Sequence, residues 1–174
     1  MAPPILLVMG VSGSGKTTVG AMLAGQLHWA YAEADDFHPA ANVAKMRAGI
    51  PLDDADRVPW LRSIGAWIDE RAAVGEPAVV TCSGLKRRYR DVLRAGRPQV
   101  RLIYLEADRD LIARRLAARH GHFFPASLLD SQFAELEPPE PDENPLTVST
   151  DDTPQSVVSK IVTGLAEPNP PARA

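Results

Sequence analysis

Eight consecutive residues carry the clearest chemical pattern in the chain: Gly10, Val11, Ser12, Gly13, Ser14, Gly15, Lys16 and Thr17 fit Gly-x-x-x-x-Gly-Lys-Ser/Thr. Glycines in such a loop let the backbone wrap so that successive N–H groups point at phosphates. The helix that follows adds the positive end of its dipole. The spacing assigns Lys16 to the β- and γ-phosphates of ATP and Thr17 to Mg²⁺, with Thr18 completing the nucleotide-binding set.

Nucleotide binding alone does not specify phosphoryl transfer. In GTPases and many ATPases a later strand ends in the Asp that serves Mg²⁺, but here Ala78 to Cys82 runs into Ser83-Gly84 with no acid. The carboxylate must come from elsewhere. Asp35-Asp36 follow a second short strand, and the carboxyl ends of neighbouring parallel strands open into one crevice. Asp35 ranks ahead of Asp36, either as the base for an acceptor hydroxyl or as the holder of a Mg²⁺-bound water. A solvated turn or a helix cap is the competing reading of the pair.

These residues need a scaffold that brings strand ends together, and the hydropathy pattern supplies one. Ile5–Met9, Tyr31–Ala34, Ala78–Cys82, Arg101–Leu105 and Leu146–Ser149 read as strands, the long apolar runs among them as strands buried on both faces. Helical patterns over Thr17–His28, Pro39–Ala48, Asp56–Ala73, Arg109–Arg119 and Pro154–Leu165 alternate with them. That order predicts an α/β fold with a parallel sheet of about five strands between helical layers. Glu137 to Glu143 reads as a stiff acidic, proline-rich loop, and 167–174 as a frayed tail behind one domain over 1–166.

Composition narrows the function classes. At 174 residues, 45% hydrophobic and 24% charged, the chain has the make-up of one globular domain. A formal charge of −3 argues against a nucleic-acid partner. Ile5–Met9 is too short to span a membrane and no signal-peptide pattern precedes it, so a cytoplasmic location is expected. The single cysteine, Cys82, allows no intramolecular disulfide and reads as a small buried hydrophobe.

Beyond the phosphate loop, the chain resembles the gluconokinase family. The likeness lies in Glu33-Ala34-Asp35-Asp36-Phe37-His38-Pro39, Asn42, Lys45-Met46, Pro51-Leu52, Asp56-Arg57, Pro59-Trp60-Leu61, Cys82-Ser83-Gly84-Leu85-Lys86, Tyr89-Arg90-Asp91, Gly121-His122-Phe123-Phe124, Gln132-Phe133 and Leu136-Glu137-Pro138. Ala34 stands where the family has glycine and Gly84 where it has alanine. The resemblance implies an adenylate- or shikimate-kinase-like three-layer fold, a homodimer, and a mobile lid near 120–126. It also implies transfer of the γ-phosphoryl of ATP to the 6-hydroxyl of D-gluconate.

Gluconate is a linear polyhydroxy acid, so its pocket needs a cation and several hydrogen-bonding groups. Arg57, Lys86 and Arg90 are the candidate carboxylate or phosphate contacts, His38 the candidate hydroxyl contact, and His122 a further substrate residue in the lid. By resemblance to related kinases, Arg115 contacts the adenine ring or its phosphates and Arg119 the transferring phosphoryl. A kinase for another small acceptor, such as shikimate or a nucleoside monophosphate, is one alternative. A nucleotide-dependent regulatory switch is another.

Overall fold

The structure is a computed structural model that describes residues 2–120 and 126–167. Five strands, β1 (Ile5–Met9), β2 (Ala30–Glu33), β3 (Ala78–Cys82), β4 (Val100–Glu106) and β5 (Leu146–Ser149), form one sheet in the order β2-β3-β1-β4-β5. All four pairings are parallel. Met9 lies level with Cys82 on one side and Tyr104 on the other, so β1 and β3 end together and β4 runs on to Glu106.

Alternation along β1 explains the layers. Ile5, Leu7 and Met9 face one core with Trp60, Ile64 and Ile68 of α3 (Asp54–Ala73) and Tyr89 and Leu93 of α4 (Arg87–Arg94). Leu6 and Val8 face the other, with Val19 and Leu23 of α1 (Lys16–Leu27) and Val157, Val158 and Ile161 of α7 (Pro154–Ala166). The continuous apolar run is thus buried on both faces, as a central parallel strand requires. A third cluster joins Val11 and Leu85 to Ile112 and Leu116 of α5 (Arg109–His120) and Leu129 of α6 (Ala126–Glu135), roofing the phosphate loop.

The expected parallel α/β sheet is what the structure contains. Element ends differ by a residue or two. His28 leaves α1 in the left-handed conformation, φ 58°, which ends the helix one residue before the expected stop. α3 begins two residues before the expected start, because Asp53 and Asp56 form a reciprocal capping box with bonds of 2.7 and 3.0 Å. α2 (Ala40–Arg47) follows a short 3₁₀ turn over Ala34–Phe37. The acidic loop differs most from its reading: Pro141–Glu143 is a 3₁₀ turn, and Glu143 is buried. Among the described residues, no helix is long and apolar enough to cross a membrane.

Candidate active site

The phosphate loop spans the gap between β1 and α1. Gly13 and Gly15 have φ of 83° and 94°, a region open to glycine at little cost. The Ser14 hydroxyl is buried with no hydrogen-bond partner among the described residues. Lys16 Nζ donates to the carbonyls of Gly10 at 2.9 Å and Val11 at 3.2 Å, folding back over the loop. Burial lowers its pKa, while the nearby carboxylates of Asp35 and Glu33 pull it back up.

Two cavities flank this loop. One, of 340 Å³, lies between the loop, α5 and the start of α7, and is lined by Gly13, Gly15, Thr18, Arg115, Arg119, Thr150 and Val157. Arg115 donates to the Thr150 carbonyl, while the Thr150 N–H donates to Glu106 at 2.9 Å, which ties this wall to the end of β4. The apolar lining and the flanking loop of N–H groups suit a planar base with its phosphates.

The second cavity, of 190 Å³, opens on the other side of Lys16 and Thr17 and holds Asp35 and Glu33 opposite Ser12, Ser83 and Gln132. Asp36 does not line it. Two residues here were given no role from sequence. Glu33 accepts a 3.0 Å bond from the Tyr31 hydroxyl, whose pKa burial and this bond push up to about 12. The same hydroxyl lies 3.3 Å from the Thr17 carbonyl. Gln132 accepts from the Ser12 backbone N–H at 3.2 Å and so links α6 to the phosphate loop. Both residues stood in the matched stretches, but only the packing of β2 and α6 against the loop brings them to it.

Beside this cleft, His38 stacks on Trp60 with ring centroids 4.5 Å apart and planes at 10°. Burial lowers its pKa, so the ring is neutral at neutral pH. Arg57 donates to the Tyr89 hydroxyl at 2.9 Å, and that hydroxyl donates to Asp54 at 2.6 Å. Lys86 and Arg88 also lie over the Tyr89 ring, so cations outnumber carboxylates around this tyrosine.

Arg90 requires a correction. It is fully buried, with Nε and Nη2 on the two carboxylate oxygens of Glu143 at 2.7 and 3.0 Å and Nη1 on the carbonyls of Gly84 and Leu85. Its guanidinium is fully buried and makes four hydrogen bonds inside the protein, so it does not reach a substrate carboxylate here. It holds the Ser83–Lys86 loop instead. Cys82 is buried as expected, and burial pushes its thiol up to about 12, which removes it as a nucleophile. His122 and most of the expected lid lie outside the described residues.

Among the described residues no group of three or more His, Cys, Asp or Glu is gathered to hold a metal unaided. Mg²⁺ does not need one. It is commonly bound through one or two protein oxygens with substrate phosphates and water completing the shell, and Thr17 beside Asp35 and Glu33 supplies oxygens of that kind.

A family model described as AAA domain matches residues 5–139. The chain is 46% identical over 162 residues to a gluconokinase of Gluconobacter oxydans, covering 93% of this chain and 91% of that one. It is 42% identical to the thermoresistant gluconokinase of Escherichia coli, covering 91% of each. A crystal structure of a gluconokinase from Sinorhizobium meliloti superposes with a TM-score of 0.83 at 42% identity, covering 94% of this chain and 92% of that one. A shikimate kinase from Aquifex aeolicus, at 15% identity and a TM-score of 0.56, shares the fold.

Proposed function

The chain belongs to the gluconokinase family, and from that premise we propose that it transfers the γ-phosphoryl group of ATP to the 6-hydroxyl of D-gluconate, giving 6-phospho-D-gluconate and ADP. The observation that carries this reading is the single cleft in which Lys16 and Thr17 of the phosphate loop face Asp35 at the end of β2. Phosphoryl transfer asks the protein mainly for positioning and charge neutralisation, and this cleft has groups for both.

The adenine moiety and its phosphates occupy the 340 Å³ cavity beside Arg115, with the phosphates on the N–H groups of Gly13 to Thr18. Lys16 leaves the Gly10 and Val11 carbonyls for the γ-phosphate, and Arg119, exposed at the cavity mouth, reaches the transferring group. Thr17, and Asp35 through a water, would hold Mg²⁺, which would supply charge neutralisation of the phosphate oxygens. Asp35 accepts the proton of the 6-hydroxyl as its oxygen forms the new bond to phosphorus. The bond from phosphorus to the bridging oxygen breaks, and the electron pair leaves on ADP.

Arg57 and Lys86 bind the gluconate carboxylate, and His38 a hydroxyl. The same reading gives one kinase domain over 1–166, a cytoplasmic homodimer, and no nucleic-acid or membrane partner; the family resemblance and the acidic net charge support it.

ADP and phosphorylated product, measured together with ATP, Mg²⁺ and a panel of sugar acids, shikimate and nucleoside monophosphates, test this reading. Equal yields of ADP and 6-phosphogluconate with gluconate are expected. Preference for shikimate or a nucleotide acceptor, or binding of ATP with no acceptor stimulating turnover, overturns it.

A further inference from the structure

Asn42, on α2, is a polar side chain buried at 3% exposure. Its side-chain nitrogen donates to the Asp56 backbone carbonyl at 2.9 Å and lies 3.2 Å from Nδ1 of His38. A backbone carbonyl only accepts hydrogen bonds, so the amide group facing Asp56 is the NH₂ and not the oxygen. That fixes the orientation of the side chain. The second hydrogen of the same NH₂ is then left for Nδ1 of His38, which must present a lone pair.

A neutral imidazole with a lone pair on Nδ1 carries its proton on Nε2. A doubly protonated ring would set two donors against each other at this contact. The ring cannot rotate freely out of the arrangement, because it is stacked on Trp60, whose Nε1–H is held by the Ala34 carbonyl at 2.6 Å. Nor is Asn42 loosely placed, since Lys45 one turn further along α2 is paired with the Asp56 carboxylate at 2.8 Å, clamping α2 to α3.

We propose that Asn42 is a positioning residue that locks His38 as a neutral Nε2–H donor, so that the acceptor substrate meets His38 through an oxygen lone pair. Two polar groups at the acceptor then have opposite duties: Asp35 takes a proton, and His38 gives a hydrogen bond to a substrate oxygen. The tautomer follows from the contacts of Asn42 alone, whereas the contact between His38 and the substrate rests on the gluconate reading.

The test uses the full chain labelled with ¹⁵N-histidine, with His38 assigned by its loss in His38→Gln. Long-range proton–nitrogen correlation at neutral pH is expected to give a lone-pair shift at Nδ1 and an N–H shift at Nε2. Asn42→Asp, which places an acceptor against Nδ1, is expected to move the proton to Nδ1. Asn42→Leu is expected to leave a mixture of tautomers. Both variants should raise the KM for gluconate by about 10-fold, the scale of one lost hydrogen bond to a partly buried group, with the KM for ATP within about 2-fold.

A wild-type His38 protonated at Nδ1, or present as a mixture, overturns the proposal even if neither variant folds. So does a tautomer that shifts in the variants with no change in gluconate KM. If the wild-type enzyme ignores gluconate, the functional reading fails, while the nitrogen shifts still decide the tautomer.

Discussion

The two sides of the cleft are built from different material. On the nucleotide side, the groups that face a ligand are chiefly backbone N–H groups of one contiguous loop, set by β1 and α1 and backed by α5 and α7. On the acceptor side they are side chains from the end of β2, the 3₁₀ turn, α3 and the loop after β3, held by hydrogen bonds to α2 and α4. A backbone cradle recognises what all nucleotides share, whereas a side-chain network can be matched to one acceptor. On the proposed reading, the acceptor side holds the specificity and depends more heavily on tertiary packing.

Breaking each side separately should give different signatures. The largest effect is expected from Lys16→Ala, which removes the one cationic side chain of the loop: kcat should fall by about 10²–10³-fold or more with the thermal melt little changed, as rapid-quench assays and calorimetry would show. Arg90→Met acts on the other side through stability. It strands the Glu143 carboxylate in the interior, so denaturant unfolding should show a loss of about 3–5 kcal/mol. Where that variant is still folded, ATP affinity should persist; a parallel loss would mean the two sides are one unit.

Smaller effects sharpen the contrast. Tyr89→Phe removes the hydroxyl that joins Arg57 to Asp54, and gluconate KM should rise by about 10-fold or less with ATP KM unchanged. The last is a pH effect. Burial pushes the Glu143 carboxyl up, but bonds from Arg90 and the Glu140 N–H outweigh this and hold its pKa below the ordinary value of 4.5. A lowered folded-state pKa gives stability that is present above the unfolded value and lost as pH falls through the folded one. The melting difference between wild type and Glu143→Gln should therefore shrink as pH falls below the ordinary value of 4.5. A constant difference would assign the loss to packing.

The same contrast governs what was legible in the sequence. Ile5–Met9 and Ala78–Cys82 form strands at the expected bounds, because apolar runs report burial directly; Leu146–Ser149 also keeps its bounds, though only Val148 in it is buried. The phosphate loop was legible for a related reason: its chemistry lies in consecutive residues. Arg90 was misread because its partner, Glu143, stands 53 residues away in a segment that looks like a surface loop. Asn42, Glu33 and Gln132 have unremarkable local contexts, and their neighbours at the site come from other elements. The two departures from the family pattern have local accounts. Gly84 takes φ 54°, a region that disfavours alanine, while Ala34 keeps its place in the core without positive φ.

The central claim is that the two sides meet at Asp35, whose main duty is to take the proton of the acceptor hydroxyl. Asp35→Asn replaces the base with a near-isostere, and parallel measurement of 6-phosphogluconate formation and ATP affinity tests that claim most directly. Transfer should fall by about 10²-fold or more while the ATP dissociation constant stays within about 2-fold. Retained transfer in Asp35→Asn, with the loss appearing in Asp36→Asn instead, would contradict the account.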